Sequence, residues 1–453
     1  MSRSLESPAL PSSRAEEVRA RLAAATPGSR RLYELGGEVL VQEVVGTVEM
    51  PHPLYIESAR GARLTDVDGN SYLDLTMGFG PHVLGHAPPV VADAIRRQLA
   101  KGWHFGIHNP LQEPLARLLQ AAAPAVERTV FCNSGTEATM YAMRVARAFT
   151  GREKIGLFDG AYHGAHDQGI LEADWNSPRS RPSLRPRGRG VLPAATDAVV
   201  ALPYRDPAAF ELIAAHAAEL AMVLVEPVQS SNPRLDVGPF LQTLREVCSE
   251  HGVLLALDEV ITGFRLAYGG AQELFGVVPD LATYGKVLGG GLPIGAVGGR
   301  ADIMARFDMN RRGSVFSGGT FSGNPLTMAA GVAAVTHLRD HPEVYTYLAA
   351  QGSRLAGAVN TFCRAEGYAA QVMHAGSMLY FKFQVGAIES ARDLRHDTAA
   401  VGREFYLHLL GHGVVVPGIH LAFLSAAHTP ADVELLIEAI TASFRDLRAD
   451  GRL

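Results

Sequence analysis

Cysteine is scarce in this chain. Cys132, Cys248 and Cys363 are the only three in 453 residues, too few for a disulfide framework and too widely spaced for a Cys-ligated metal. A reducing, cytosolic setting is the expectation. No stretch of about 18 uninterrupted apolar residues occurs, and Met1–Glu6 lacks the apolar segment of a secretory signal, so neither a membrane span nor a leader is expected. Long runs of Lys or Arg are missing too, and the formal net charge is −5. That excludes the electrostatic footprint of a dedicated nucleic-acid or membrane-surface binder and favours small, neutral or mixed-charge substrates. No internal repeat of about 20–50 residues is present. What the chain does have is 47% hydrophobic and 19% charged residues, the balance of a folded protein with a large core.

Residues 1–17 are rich in Ser, Pro, Arg and Glu and are expected to form a disordered tail. Arg63–Val67, the turn Asp68-Gly69-Asn70 and Ser71–Asp74 read as a hairpin. Through the centre, short apolar runs bounded by Gly, Pro or Asp alternate with helix-period segments. The runs are Val130–Phe131, Ile155–Phe158, Val199–Leu202, Met222–Val225, Leu254–Leu257, Leu281–Tyr284 and Ile294–Val297. Strands apolar on both faces belong in a sheet covered on both sides, so a mostly parallel α/β domain is expected. Pro207–Leu220 carries the amphipathic pattern of a crossover helix. After His341 the pattern changes to a smaller α+β unit. It contains a strand pattern over Val372–Phe383 and a helix opened by Thr429-Pro430-Ala431-Asp432. The expected division is 1–17 tail, 18–75 N-terminal segment packing with the small domain, 76–340 large domain and 341–453 small domain. Asp174–Arg189 has neither periodicity and reads as disordered or as a lid.

Four local signals carry chemistry. Asn133-Ser-Gly-Thr-Glu-Ala138 follows an apolar pair and opens a helix. Gly135 permits close backbone approach to an anion, while Ser134 and Thr136 add hydroxyls beside a positive helix end. The plainer alternative is a Ser cap with a capping-box Glu. Leu254–Glu259 puts Asp258 at the carboxyl end of a buried strand, where it could pair with a cationic ring nitrogen or simply cap a helix. Thr283-Tyr-Gly-Lys286, followed by Gly289-Gly-Gly291, places a lysine among groups able to strip its water. A desolvated amine of this kind is the nucleophile of a Schiff base; a solvated surface charge is the alternative. Gly160-Ala-Tyr-His-Gly164 offers Tyr162 either to stack on a planar ligand or to pack in a loop. Together they match the requirements of pyridoxal 5′-phosphate, PLP.

The chain resembles the class III, fold-type I PLP-dependent aminotransferases, nearest the glutamate-1-semialdehyde aminomutase-like group. The resemblance covers roughly residues 35–445. It is carried by Asn133–Ala138, Gly160–Gly164, Val225-Glu-Pro-Val228, Leu257-Asp-Glu-Val-Ile-Thr-Gly-Phe-Arg265, Asp280–Lys286 and Gly319-Thr-Phe-Ser-Gly-Asn-Pro325. It implies a large domain with a mostly parallel seven-stranded sheet plus a small α+β domain. It also implies that Lys286 is the catalytic, Schiff-base lysine and that Asp258 keeps the ring nitrogen protonated. Ser134, Gly135 and Thr136 would bind the phosphate, Tyr162 would stack on the ring, and Glu226 would join the hydrogen-bond support, with Gln229 or Ser231 near the phenolic oxygen. In the family the Thr matching Thr320 serves the partner's site, which implies a homodimer with shared active sites. Asp174–Arg189 falls where the aminomutases carry a mobile gate. No metal is expected, and the histidines at 82, 86, 104 and 108 show no ligand spacing.

Two departures bear on the reaction. The aminomutases carry a carboxylate-clamping Arg in the N-terminal segment, whereas Gly36–Val44 has none and the next arginine is Arg60. His420 stands where they tend to carry a Glu. Asp280–Pro293 also resembles the aminotransferase domains of hybrid polyketide–peptide synthases. The expected function is therefore aminotransfer from an amino-acid donor to a ketone, aldehyde or β-keto acyl acceptor, free or tethered to a carrier protein, in specialised metabolism. The alternatives are an aminomutase, a racemase or a decarboxylase. A nucleotide-binding reading is disfavoured because no Gly-x-Gly-x-x-Gly follows an early strand.

Overall fold

The computed structural model describes residues 13–41, 52–394, 398–416, 418 and 421–453. All seven apolar runs are strands of one sheet. Their spatial order is Arg128–Cys132, Gly295–Gly299, Leu281–Gly285, Leu254–Asp258, Leu220–Val225, Lys154–Phe158 and Val199–Leu202. Every pairing is parallel except the two made by Gly295–Gly299, which runs against both neighbours. Leu220–Val225, Leu254–Asp258, Leu281–Gly285 and Gly295–Gly299 are buried at every position. This is why these segments read as continuous apolar runs rather than as alternating ones. One face packs against Gly135–Thr150, through Ala138, Ala142 and Val145, and another core holds Leu241, Leu244 and Cys248 of Gly238–Glu250. The crossover pattern at Pro207–Leu220 is the helix Ala208–Ala215.

The Asp68–Asn70 turn joins strands Arg63–Asp66 and Ser71–Asp74. Asp66 accepts the backbone N–H groups of Asp68 and Asn70 at 3.0 and 2.8 Å, and Gly69 takes φ +85°. Val414–Val415 pairs with this hairpin in parallel, Val414 opposite Leu73, so the N-terminal and C-terminal segments share a sheet. A second sheet holds Gln371–Ala375, Met378–Lys382 and Ala422–Phe423. The last helix, Pro430–Ala449, starts with the expected capping box between Thr429 and Asp432. It buries Val433, Leu436, Ile440, Phe444 and Leu447.

The expected tail is shorter than 1–17. Ser13 caps a helix over Arg14–Ala25 in a capping box with Glu16, and Ala15 and Leu22 pack against Leu407 and Leu410. A reciprocal cap plus two buried apolar side chains outweighs a polar composition. Residues 1–12 lie outside the described residues. The Asp174–Arg189 segment, which reads as unpatterned, contains the strand Leu184–Pro186, paired antiparallel with Leu171–Ala173 just before it. It is anchored to a loop of the C-terminal part: Arg392 donates to Ser177 O at 2.8 Å and pairs with Asp159, and Arg179 pairs with Asp393 at 2.5 Å.

Candidate active site

Parallel strands deliver their carboxyl ends to one edge of the sheet, the edge where open α/β sheets hold ligands. Asp258 ends one such strand, and Ser134, Tyr162, Glu226 and Lys286 each follow another within four residues. The topology therefore converges residues that are 152 positions apart at the extremes, Ser134 and Lys286.

Asp258 is 6% exposed. A buried carboxylate is costly unless it is hydrogen-bonded, and this one has three partners. Thr283 Oγ1 donates to its Oδ1 at 2.9 Å, the Val260 N–H donates to the same oxygen at 3.2 Å, and His163 Nδ1 lies 2.7 Å from Oδ2. Thr283 is the register partner of Asp258 on the neighbouring strand.

Lys286 begins a short 3-10 turn directly after strand Leu281–Gly285. It sits in the left-handed region at φ +45°, a conformation costing a non-glycine residue about 1–3 kcal/mol and found most often at functional sites. Burial lowers its amine from the ordinary lysine range, and the nearby carboxylates of Asp258 and Glu226 partly restore it. Glu226 is itself pushed up to about 7, first by burial and then by the charge of Asp258, against the opposing influence of His163. It accepts the Tyr162 N–H at 3.0 Å and the Ser230 N–H at 3.4 Å. Glu226 thus fixes the backbone that carries the Tyr162 ring.

At the helix Gly135–Thr150 the Ser134 cap is present, while Glu137 turns back to Asn133 rather than closing a capping box on Ser134. Ser134 accepts the Glu137 N–H at 3.2 Å, and Glu137 reaches back to the Asn133 N–H at 2.8 Å. The first-turn N–H groups still point out of the helix end. A Cβ on Gly135 would stand 2.8 Å from a Val260 methyl, so only glycine fits this approach. Thr136 Oγ1 accepts the Ala165 N–H at 3.1 Å and keeps its own proton to donate. Tyr162 is 43% exposed, with the Arg187 guanidinium carbon 6.0 Å from its ring centroid. Thr320 is exposed, in a loop that meets the Asn133 side chain through Ser322 at 3.2 Å.

His163 carried no chemical reading in the sequence, whereas Arg265 read as a carboxylate contact or a structural ion pair, and His82 and His86 as candidate pocket lining. His163 lies beside Tyr162 in the same glycine-bounded run, yet only the fold reveals that it faces Asp258; its Nε2 is buried without a partner. Arg265 is 2% exposed and pairs with no carboxylate among the described residues. It donates to Ser377 Oγ at 3.0 Å, to Leu424 O at 3.3 Å and to Gly80 O, while its Nε is unpartnered. Burial lowers its guanidinium to about 9. His82 packs on Gly291, just past Lys286, and burial lowers it to about 4. His86 pairs instead with Asp74 at 2.7 Å. Gln229 donates to Asp159 O at 2.8 Å with its Oε1 buried and unpartnered; Ser231 donates to Gly160 O at 2.7 Å.

A desolvated amine, a hydrogen-bonded acid at a strand end, a glycine-lined helix N-terminus and a half-exposed ring fit pyridoxal phosphate group by group. The class these features define is the fold-type I PLP-dependent enzymes. The Aminotransferase class-III family model matches residues 45–431, and the chain belongs to that family. A glutamate-1-semialdehyde 2,1-aminomutase of Methanoculleus marisnigri is 42% identical over 395 residues, 86% of this chain and 92% of that protein. Among solved structures, an omega-transaminase from Sphaerobacter thermophilus superposes with TM-score 0.88 at 35% identity, covering 94% of this chain and 99% of the other. A glutamate-1-semialdehyde aminomutase from Pseudomonas aeruginosa PAO1, in complex with PMP, superposes with TM-score 0.85 at 25% identity, covering 96% and 97%.

These similarities overturn the expectation of an aminotransferase of specialised metabolism acting on a ketone, aldehyde or β-keto acyl acceptor. Relatives about 40% identical over most of the chain are glutamate-1-semialdehyde aminomutases. That expectation rested on the absent N-terminal arginine, on His420 in place of a Glu and on the likeness to polyketide–peptide synthase domains. Residues 42–51 and His420 lie outside the described residues, and a guanidinium, that of Arg187, already stands at the Tyr162 ring.

Proposed function

We propose that this enzyme is a PLP-dependent aminomutase of the 2,1 type, moving an amino group between adjacent carbons of a small amino aldehyde bearing a distal carboxylate. The observation that carries the reading is the 42% identity over 86% of the chain to a glutamate-1-semialdehyde 2,1-aminomutase. A second feature supports it. Such an exchange must retain the half-converted compound until the amine returns, and we assign that cover to the anchored 174–189 segment, whose Arg187 guanidinium carbon lies 6.0 Å from the Tyr162 ring centroid.

Bound PLP supplies the electron sink that makes a substrate C–H acidic. The residues of this chain do the rest. Lys286 holds the cofactor, then takes the proton from the substrate carbon and returns it to the neighbouring reaction centre; desolvation lowers its amine, which favours the unprotonated form a base needs. The Asp258 carboxylate keeps a proton on the ring nitrogen, and His163 and Thr283 orient that carboxylate. Ser134, Gly135 and Thr136 hold the phosphate, Tyr162 covers one ring face, and Glu226 fixes Tyr162. Trp103, Ile107, Phe316 and Phe321 are exposed, and the Phe321 ring, next to Thr320 in the chain, meets His104 at 4.9 Å in a tilted contact that joins the two segments. Exposed apolar groups of this kind fit a second copy of the chain, so we place Thr320 in the partner's phosphate site within a homodimer. No helix among the described residues is long and apolar enough to cross a membrane, and we assign the enzyme to the cytoplasm.

The test is an assay of the purified holoenzyme on glutamate-1-semialdehyde with no second amine or keto acid. Stoichiometric conversion to the isomer with the amine on carbon 1 is expected. Turnover only when a separate amino donor and keto acceptor are both added would contradict the reading.

A further inference from the structure

A second cluster of ligating groups lies where the first described helix, Arg14–Ala25, crosses the last two. Glu404 and His408 stand one turn apart on Ala399–Gly411 and so share a face, and Asp450 caps the end of Pro430–Ala449. One ligand atom from each of the three lies within 4.8 Å of the others. His408 is fully buried, and neither of its ring nitrogens has a hydrogen-bond partner. Nε2 faces Asp450 Oδ2 at 3.6 Å, and Nδ1 faces Asp446 Oδ2 at 3.9 Å; both separations are too long for a hydrogen bond. A buried imidazole aimed from both sides at carboxylates it does not reach leaves room for something between.

The charges point the same way. Asp450 stands at the negative end of its own helix, where an acid is disfavoured. Its oxygens accept the Arg14 and Ala15 N–H groups at 2.8 and 2.9 Å, joining it to the start of the first helix. Glu404 accepts from Arg452 Nε at 3.0 Å, and Asp446 is held by His412 at 2.8 Å and by Arg14. Each acid is thus fixed in place with lone pairs to spare. A cleft of about 770 Å³, lined by Ser13, Arg14, Arg21, His412, Asp446 and Asp450, reaches the cluster at Asp450.

We propose that Glu404, His408 Nε2 and Asp450 Oδ2 form a structural site for a divalent transition metal, with Zn²⁺ the best match and water from the cleft completing the shell. One imidazole among carboxylates selects zinc-type ions over Ca²⁺ and Mg²⁺, which take oxygen ligands throughout. Metal–ligand bonds near 2.0–2.2 Å put neighbouring ligand atoms about 3.3 Å apart, so the 3.6 Å gap between His408 and Asp450 closes by a few tenths of an ångström. With Nε2 on the metal, Nδ1–H points at Asp446, the carboxylate–histidine–metal arrangement that fixes the tautomer. The ion ties the two C-terminal helices together at the carboxylate that caps the first helix. The sequence expectation of no metal rested on cysteine spacing and on the histidines near the cofactor, and it passed over the i, i+4 pair Glu404/His408.

The test is zinc titration of chelator-stripped holoenzyme, read by metal content after gel filtration and by thermal unfolding. The wild type is expected to retain one equivalent beyond any held by a His408→Gln variant, to bind it at least tenfold more tightly, and to unfold at a higher temperature with zinc. If His408→Gln does not fold, Glu404→Gln carries the same comparison, since it keeps the acceptor for Arg452. No zinc retention by the wild type, or equal retention by wild type and variant, overturns the site.

Discussion

Two lysines of this protein, Lys286 and Lys382, are desolvated, and only one stands among groups that could hold a ligand. Lys286 ends a central strand in the left-handed region, with the carboxylates of Asp258 and Glu226 raising its amine against the effect of burial. Lys382 closes strand Met378–Lys382 at 8% exposure, its Nζ 3.3 Å from the Tyr380 ring centroid. Burial alone pushes it down to about 7. A depressed amine is therefore not by itself a sign of chemistry. What distinguishes Lys286 is strained backbone, two facing acids and a helix N-terminus on the same sheet edge, a set that makes sense only around a ligand carrying a cationic ring and an anionic arm.

The sharpest way to break this comparison is to remove each lysine in turn. Lys286→Ala is expected to lower turnover by several orders of magnitude, because nucleophile and proton carrier go together. Lys382→Met should keep kcat within about threefold in the same assay. Next in size, Asp258→Asn removes the charge opposite the ring nitrogen while preserving shape. A loss of about 10²–10³ in kcat is expected, on the scale of losing one electrostatic stabiliser of a transition state. A loss of tenfold or less would mean that the ring nitrogen does not depend on this acid.

Gly135→Ala tests the cup. Its Cβ would meet Val260 at 2.8 Å, so the helix start must shift, and cofactor affinity measured by absorbance titration should weaken about tenfold, a loss comparable to one charge-assisted hydrogen bond. Unchanged affinity would place the phosphate elsewhere. The smallest effect belongs to Lys382 and is read in stability. In the unfolded chain a lysine keeps its proton up to about pH 10.4, but folded Lys382 keeps it only to about 7. Between those values the unfolded chain binds more protons, so stability rises with pH. Urea midpoints of wild type and Lys382→Met across that window should diverge, the variant showing the flatter rise; parallel curves would show that the folded lysine is not depressed.

The central sheet was legible because strands buried on both faces cannot alternate, and all seven runs from Val130–Phe131 to Ile294–Val297 proved to be its strands. The hairpin at Asp68–Asn70 and the helix after Thr429 were legible through turn and cap chemistry, which is local. The site was legible where its residues sit in short motifs at strand ends, as Ser134, Asp258 and Lys286 do. It was not legible where contact depends on the fold. His163 reaches Asp258 across 95 positions, and Arg265 lies among the carbonyls of Gly80 and Leu424. Nothing in the local pattern of either residue announces its partner. The reaction was misread because a missing arginine, His420 and a short local likeness were weighed above similarity over most of the chain.

The most direct measurement is reduction of the PLP-loaded enzyme with borohydride, followed by peptide mapping over Lys101, Lys154, Lys286 and Lys382, the lysines of the chain. The account predicts the pyridoxyl group on the Lys286 peptide alone. Label on the Lys382 peptide, or no label at all, would contradict it.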